Sequence, residues 1–316
     1  MKFILICCFF LTASLLHSQV YSDKVFDNKV KSIQMYGSQS NLSQIVFPLL
    51  GNSLCTVEFD ILESEIKDLR YEIFLCNKYW QKSELLPSEY IQSIGILTID
   101  NIKNSINTTV PYIHYQFSFP HQDLQFIYSG NYILQVINDQ TNQILFQKRF
   151  VVAEMIVGLD VDIKQATNVA YMDTHQEVDF RIKPLGFSIS NPTNDLYTAI
   201  VQNGRWNMAI LGLQPSHISP EAIIYDYQKE NLFLGGAEFH QINFKNFKFI
   251  AQHIKDFTYE NGRFSVNLLP NEMRTYKVYE NNGDLNGRFL PSHDVHADAS
   301  VVGDYAYVNF CLSHYK

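Results

Sequence analysis

Much of what would identify an enzyme or a nucleic-acid binder is missing from this chain. It carries 24 Lys and Arg against 32 Asp and Glu, a formal charge of −8. An acidic chain without a basic stripe lacks the electrostatic footprint that phosphate backbones require, so no nucleic-acid partner is expected. The charges are mixed rather than blocked, which reads as solvation. No glycine loop of the phosphate-cradling or dinucleotide-binding kind occurs. Gly186-Phe187-Ser188-Ile189-Ser190 opens like a nucleophile elbow but ends in serine where glycine is needed. Ser, His and Asp residues show no spacing that singles out a triad, and a triad is set by geometry rather than chain order. No cofactor is expected.

Apolar runs long enough to cross a membrane are also absent after the first 19 residues. The start itself reads as a secretion signal: Lys2, then the apolar run Phe3 to Leu16, then Ala13 and Ser14 leading into a small-residue end, with cleavage near Ser18 or Gln19. The run is short for a membrane anchor, and no stop-transfer pattern follows. Cys7 and Cys8 sit inside the apolar core, where a lipid-attachment cysteine would not be. Removal of 1–19 leaves about 297 residues, enough for two domains of ordinary size, and a balance of about −9 once Lys2 is gone.

Cysteine is scarce in that remainder: Cys55, Cys76 and Cys311. An odd number excludes a fully paired set within one chain. Cys55 and Cys76 fall in consecutive expected strands, and two readings stand: a bridge in an oxidising compartment, or two buried thiols behaving as small hydrophobes.

What is abundant is aromatic residues, 23 Phe and 19 Tyr, in company with β-branched ones. That mixture favours strands. Leu54 to Ile61 alternates so that Cys55, Val57, Phe59 and Ile61 share one face and Thr56, Glu58 and Asp60 the other. Arg70 to Asn77, Tyr112 to Phe119, Asn131 to Asn138 and Gln143 to Glu154 read as further strands. So do 156–163, 177–182, 196–202, 222–227, 238–244, 263–268 and 275–279. Asn203-Gly204, Gly235-Gly236, Asn261-Gly262 and Asn282-Gly283 are tight-turn signals between them. Helix signals are few: Ser88 to Ser93 and Asn246 to Asp256 could each hold a turn or two. No linker, fixed-period repeat or low-complexity tract appears. The expected fold is all-β, tandem β-sandwiches of the immunoglobulin or fibronectin kind with few short helices. Boundaries are expected at 20–154 for a first sandwich, 155–290 for a second β-rich domain and 291–316 for the start of a further segment.

Candidate site residues are sparse. His293, Asp294, His296 and Asp298 are close enough in sequence to chelate a divalent ion, against the alternative of a polar surface loop. The pairs Glu63 with Glu65 and Asp160 with Asp162 show no desolvated member, which acid/base catalysis needs. His175 reads as a capping or interdomain hydrogen-bonding residue. Trp80 is expected in the core. Arg205 and Trp206, following the Asn203-Gly204 turn, are placed for exposure as readily as for local packing, and with Asn203 they are the candidate partner-binding residues.

Several of these segments, in this order, are similar to a known family. They are Cys76-Asn77 with Trp80 and Ser83, Glu89-Tyr90, Tyr112 to Pro120, Ser129 to Tyr132, Arg149 to Val152, Thr174 to Phe180, Gln202 to Trp206, Gly235-Gly236 with Glu238-Phe239, and Asp284 to Phe289. The chain resembles the plug protein of the type IX secretion system, a family of exported Bacteroidetes proteins. The resemblance implies a non-enzymatic periplasmic protein, held at a membrane only through its partner, that seals the outer-membrane translocon barrel when no cargo passes. Family members continue well beyond residue 316, and Tyr305 to Ser313 reads as the first strand of a further segment, so a truncated form is expected. Two other classes compete: a secreted glycan-binding β-sandwich module, which needs a flat exposed strip built on Trp206 and neighbouring tyrosines, and a metal-dependent hydrolase using His293 and His296.

Overall fold

The computed structural model describes residues 19–37, 46–51, 53–235, 239, 241–247, 250–270, 285, 287–292 and 299–312. The leader expected over 1–19, apart from Gln19, the strand expected over 275–279 and the cluster at His293, Asp294, His296 and Asp298 lie outside them.

The chain is all-β, with two one-turn helices at Pro87–Tyr90 and Pro192–Asp195. No helix among the described residues is long and apolar enough to cross a membrane. Seven principal strands build the first part: β1 (Val30–Gly37), β2 (Cys55–Ile61), β3 (Leu69–Cys76), β4 (Asn101–Asn104), β5 (Ile113–Phe119), β6 (Gly130–Asn138) and β7 (Ile144–Ala153). They form two facing sheets. One runs β1-β2-β5-β4. The other runs β3-β6-β7, with Lys24–Val25 antiparallel and Val46–Pro48 parallel on β7.

The alternation in β2 is what builds the sandwich. Cys55, Val57, Phe59 and Ile61 are all buried, and Phe59 meets Phe146 of the opposite sheet edge-on at 5.0 Å. Phe119, Phe126, Tyr132 and Phe150 continue this aromatic core with centroids 5.0 to 6.1 Å apart, separations at which ring quadrupoles attract. At the start of β6, Gly130 has φ +152°, and a Cβ there would stand 2.8 Å from the Leu75 side chain. Only glycine fits.

The second part has β8 (Val157–Gln165), β9 (His175–Pro184) and β10 (Ile223–Tyr225) in one sheet, with His217–Ile218 beside β10 and Leu232–Leu234 beside β9. Its core is small: Phe180, Ile182, Ile223 and Tyr225. A further sheet joins β11 (Ile254–Glu260), β12 (Arg263–Leu268) and β13 (Ala306–Asn309), with β13 parallel to β12.

Four expected elements differ. The strand expected over 196–202 shrinks to Ala199–Ile200. Of 238–244, residues 239 and 241–244 are irregular. In 246–256 no helix forms among the described residues, and Ile254 opens β11. Leu196 and Ile200 pack against the Phe180 cluster, and Phe247 packs against Phe257 and Phe264. The helix expected over 88–93 is the single turn Pro87–Tyr90, and Ile91–Ser93 is already a strand.

Candidate functional site

On β2, the side chains between the core residues point outward. Glu58 and Asp60 lie on that outer face, and the ladder sets Asp60 beside His114 of β5. Such a row would ordinarily be wet. Here Asp60 and His114 are buried, 7% and 6% exposed. His114 Nδ1 lies 2.7 Å from Asp60 Oδ1, and its Nε2 lies 3.4 Å from Glu58 Oε2. Burial pushes the imidazole down, but the hydrogen bonds and charges of Asp60 and Glu58 outweigh it and raise its pKa to about 9. At neutral pH the ring is therefore an imidazolium with both N–H groups committed to carboxylates, and it offers no lone pair to a substrate. The Tyr36 hydroxyl also donates to Glu58.

What covers this face is chain from the far end of the molecule. The Tyr305 hydroxyl donates to Asp60 Oδ2 at 2.5 Å and accepts from Ser32 Oγ at 2.5 Å. Ser32 sits at φ +51°, where β1 shifts register against β2, a bulge that redirects a side chain. Asp304 accepts from the Thr109 N–H at 2.7 Å, the Thr109 hydroxyl at 2.6 Å and the Val110 N–H at 3.2 Å. The Tyr112 hydroxyl reaches the carbonyls of Ser300 and Gly303, both at 2.9 Å. The Ile106 N–H donates to the Val301 carbonyl at 2.8 Å. Residues 299–305 thus form a strap across the outer face. Beside it opens a cleft of about 860 Å³, with Glu58, Asp60 and His114 on one wall and Phe239, Phe244 and Phe289 among the apolar groups opposite. The arrangement binds chain segments together and, among the described residues, presents no activated nucleophile: the Ser32 hydroxyl is engaged by Tyr305, and both His114 nitrogens are occupied.

The other outer face of the sandwich is gripped as well. Arg149 of β7 donates through Nε to the Tyr21 carbonyl at 2.8 Å, and its guanidinium stacks 4.6 Å from the Trp80 ring and 5.8 Å from the Trp206 ring. The two indoles meet edge-on at 4.9 Å and 77°. Next to them, Lys78 lies 4.8 Å over the Tyr197 ring. Trp80 is core, as expected. Trp206 is half-buried and seats the second part of the chain on the first. Arg205 hydrogen-bonds Gln202 at 3.2 Å and stacks 5.6 Å from Phe239, and Asn203 holds the left-handed turn position at φ +52°. Two perpendicular indoles, one of them buried, are not the flat strip that a glycan-stacking platform requires.

The described residues bring together one group of carboxylates that the sequence did not single out: Glu177, Asp179 and Asp226. A cation already serves it. Lys164 Nζ lies 2.5 Å from Asp179 and 3.3 Å from Glu177. Glu177, 1% exposed, also accepts from the Thr167 N–H at 2.8 Å and its hydroxyl at 3.0 Å. Lys164 and Glu177 are cross-strand partners, a signal readable only once the β8–β9 register is known. Of the two acidic pairs, Glu63 takes ion pairs with Lys29 and Lys67, and Asp160 pairs with Lys183 at 2.5 Å. His175 meets the Thr174 hydroxyl at 2.8 Å and the Tyr171 ring at 5.0 Å, a local role. Cys55 and Cys76 stand in different sheets as free, buried thiols, so of the two readings the unbridged one holds. Burial pushes both up to about 12.

Residues 30–154 match the family described as type 9 secretion system plug protein, first domain. The crystal structure of a hypothetical protein from Parabacteroides merdae is similar, with a TM-score of 0.89 and 30% identity over 94% of this chain and 75% of that one. No curated protein matches. The first sandwich carries the family match, and the shared fold extends across the remainder; the chain belongs to the type IX secretion system plug protein family.

Proposed function

We propose that this protein is a non-enzymatic, periplasmic plug of the type IX secretion system, exported by a cleavable signal at 1–19, that seals the outer-membrane translocon barrel from its periplasmic side when no cargo passes. The observation that carries this reading is the first-domain match over 30–154 on a sandwich braced from both outer faces, at Trp80–Trp206 and at Asp60–Tyr305. A seal has to resist deformation and needs no chemistry. A body whose parts are cross-tied by buried hydrogen bonds and aromatic contacts supplies the first, and His114 is tied up as an imidazolium rather than poised as a base. In this reading 20–154 is the first domain and 155–290 the second. Asn203 and Arg205, at the rim of the Trp80–Trp206 seam, are the residues offered for contact with the barrel.

The experiment is purification of the translocon through a tag on its barrel, with and without cargo, from cells carrying or lacking this gene. The protein should co-purify with cargo-free barrels, and its deletion should admit a large antibiotic that the intact outer membrane excludes. Its absence from cargo-free barrels, with unchanged permeability, overturns the reading.

A further inference from the structure

β8 is an outer strand whose apolar row has nothing over it. It pairs with β9 along its full length, from Val157 opposite Pro184 to Gln165 opposite Gln176. Among the described residues no strand lies against its other edge. Cross-strand neighbours share a face, so Leu159, Val161 and Ile163 stand beside Ile182, Phe180 and Val178. The second row is buried, and Phe180 and Ile182 are packed with Ile189, Leu196 and Leu213. The first row is 58%, 56% and 65% exposed. The layer that covers the sheet stops one strand short. Proteins usually blunt a free edge with a proline, a bulge, a short strand or an inward charge. β8 is nine residues in unbroken register, with only Val, Leu and Ile along its apolar row up to Gln165.

The opposite row narrows the choice of occupant. It carries Asp160, Asp162 and Lys164. Asp160 is held by Lys183 and Lys164 by Asp179. Asp162 lies across the ladder from Asp179 and has no cation of its own among the described residues. Pairing of β8 with a second copy in the full-length antiparallel register would centre on Val161 and set Asp160 opposite Asp162 twice. Like charges directly opposite are destabilising. An incoming strand with apolar residues on one row and Lys or Arg on the other would cover Leu159, Val161 and Ile163, pair the edge's N–H and C=O groups, and give Asp162 its counter-charge.

We propose that the free edge of β8 accepts an extended, alternately apolar and basic segment of a partner protein as an added strand. This stands independently of the plug reading.

The test uses the full chain and two nine-residue probes, one alternating Val and Lys, the other Val and Glu. Fluorescence anisotropy should show the Val/Lys peptide binding roughly severalfold more tightly than the Val/Glu peptide, from the modest attraction of Lys and repulsion of Glu at Asp162. Hydrogen exchange should slow at 157–165. V161K should abolish that protection while leaving near-UV circular dichroism unchanged, because the side chain is exposed. D162K should narrow or invert the preference. Equal binding of both peptides, binding of neither, or protection elsewhere overturns the proposal. So does a concentration-dependent dimer in sedimentation that V161K disperses, which assigns the edge to a second copy.

Discussion

The Tyr305 hydroxyl donates to the Asp60 carboxylate at 2.5 Å across 245 residues of chain, and this bond ties the 299–305 strap to the first sandwich. Tyr305→Phe removes the donor and keeps the ring. A hydrogen bond to a charged group contributes about 1.5–3 kcal/mol, and the loss should appear as a lower urea midpoint. Hydrogen exchange should quicken at 299–309 and leave β6 unchanged. If β6 quickens equally, the strap is not a separate latch.

His114 predicts a pH dependence of definite sign. Its folded pKa is raised from 6.5 to about 9. The stability it contributes is therefore fully present below about pH 6.5 and is lost as pH rises through about 9. The shift corresponds to about 3 kcal/mol. Urea midpoints should fall between pH 6.5 and 9.5 in the native protein, and His114→Gln should flatten that slope. An imidazole titrating below pH 7 by NMR would contradict the account.

Trp206→Ala should destabilise by about 1–3 kcal/mol, through the lost edge-on contact with Trp80, the lost stacking on Arg149 and the apolar area uncovered. Thermal unfolding measures it. An unchanged melting temperature combined with lost association to the translocon would move Trp206 from the seam to the partner surface.

Of Cys55, Cys76 and Cys311, only Cys311 is exposed. A thiol-exchange reagent at pH 8 should titrate Cys311 rapidly and reach Cys55 and Cys76 only after unfolding, because burial holds both well above neutrality. Fast reaction at all three would mean that the two sheets open readily.

Lys164→Met leaves Glu177 and Asp179 without their ammonium, and Glu177 is 1% exposed. Removing one partner of a buried pair costs more than the pair contributed. The urea midpoint should fall at pH 7, and an unchanged midpoint would mean that the Thr167 hydrogen bonds suffice to hold Glu177.

Five of the seven principal strands of the first sandwich were legible, β2 most clearly, because burial on one face writes itself into every second residue: Cys55, Val57, Phe59 and Ile61 could be assigned to the core before any fold was known, whereas β1 and β4 were not read as strands. The outer faces were not legible by the same rule. Asp60 and His114 follow the polar half of the alternation and read as wet, yet they are buried because residues 299–305 lie on them. Nothing local to β2 announces a partner 245 residues away. Trp80 and Trp206 illustrate the same limit. Each carries half of a contact, and only the fold brings the halves within 4.9 Å. Leu196 to Gln202 had the composition of a strand but found a partner only at Ala199–Ile200, since pairing depends on what lies alongside.

The strap also imposes an order of events. A polypeptide is made and delivered from its amino end, so the first sandwich can assemble while Ser300 to Tyr305 have yet to arrive. In that interval Glu58, Asp60 and His114 stay in contact with water. Arrival of Tyr305 covers these groups and adds its hydroxyl donor to Asp60. The outer face of β2 is therefore finished only when residues 299–305 arrive, long after the strand that they cover.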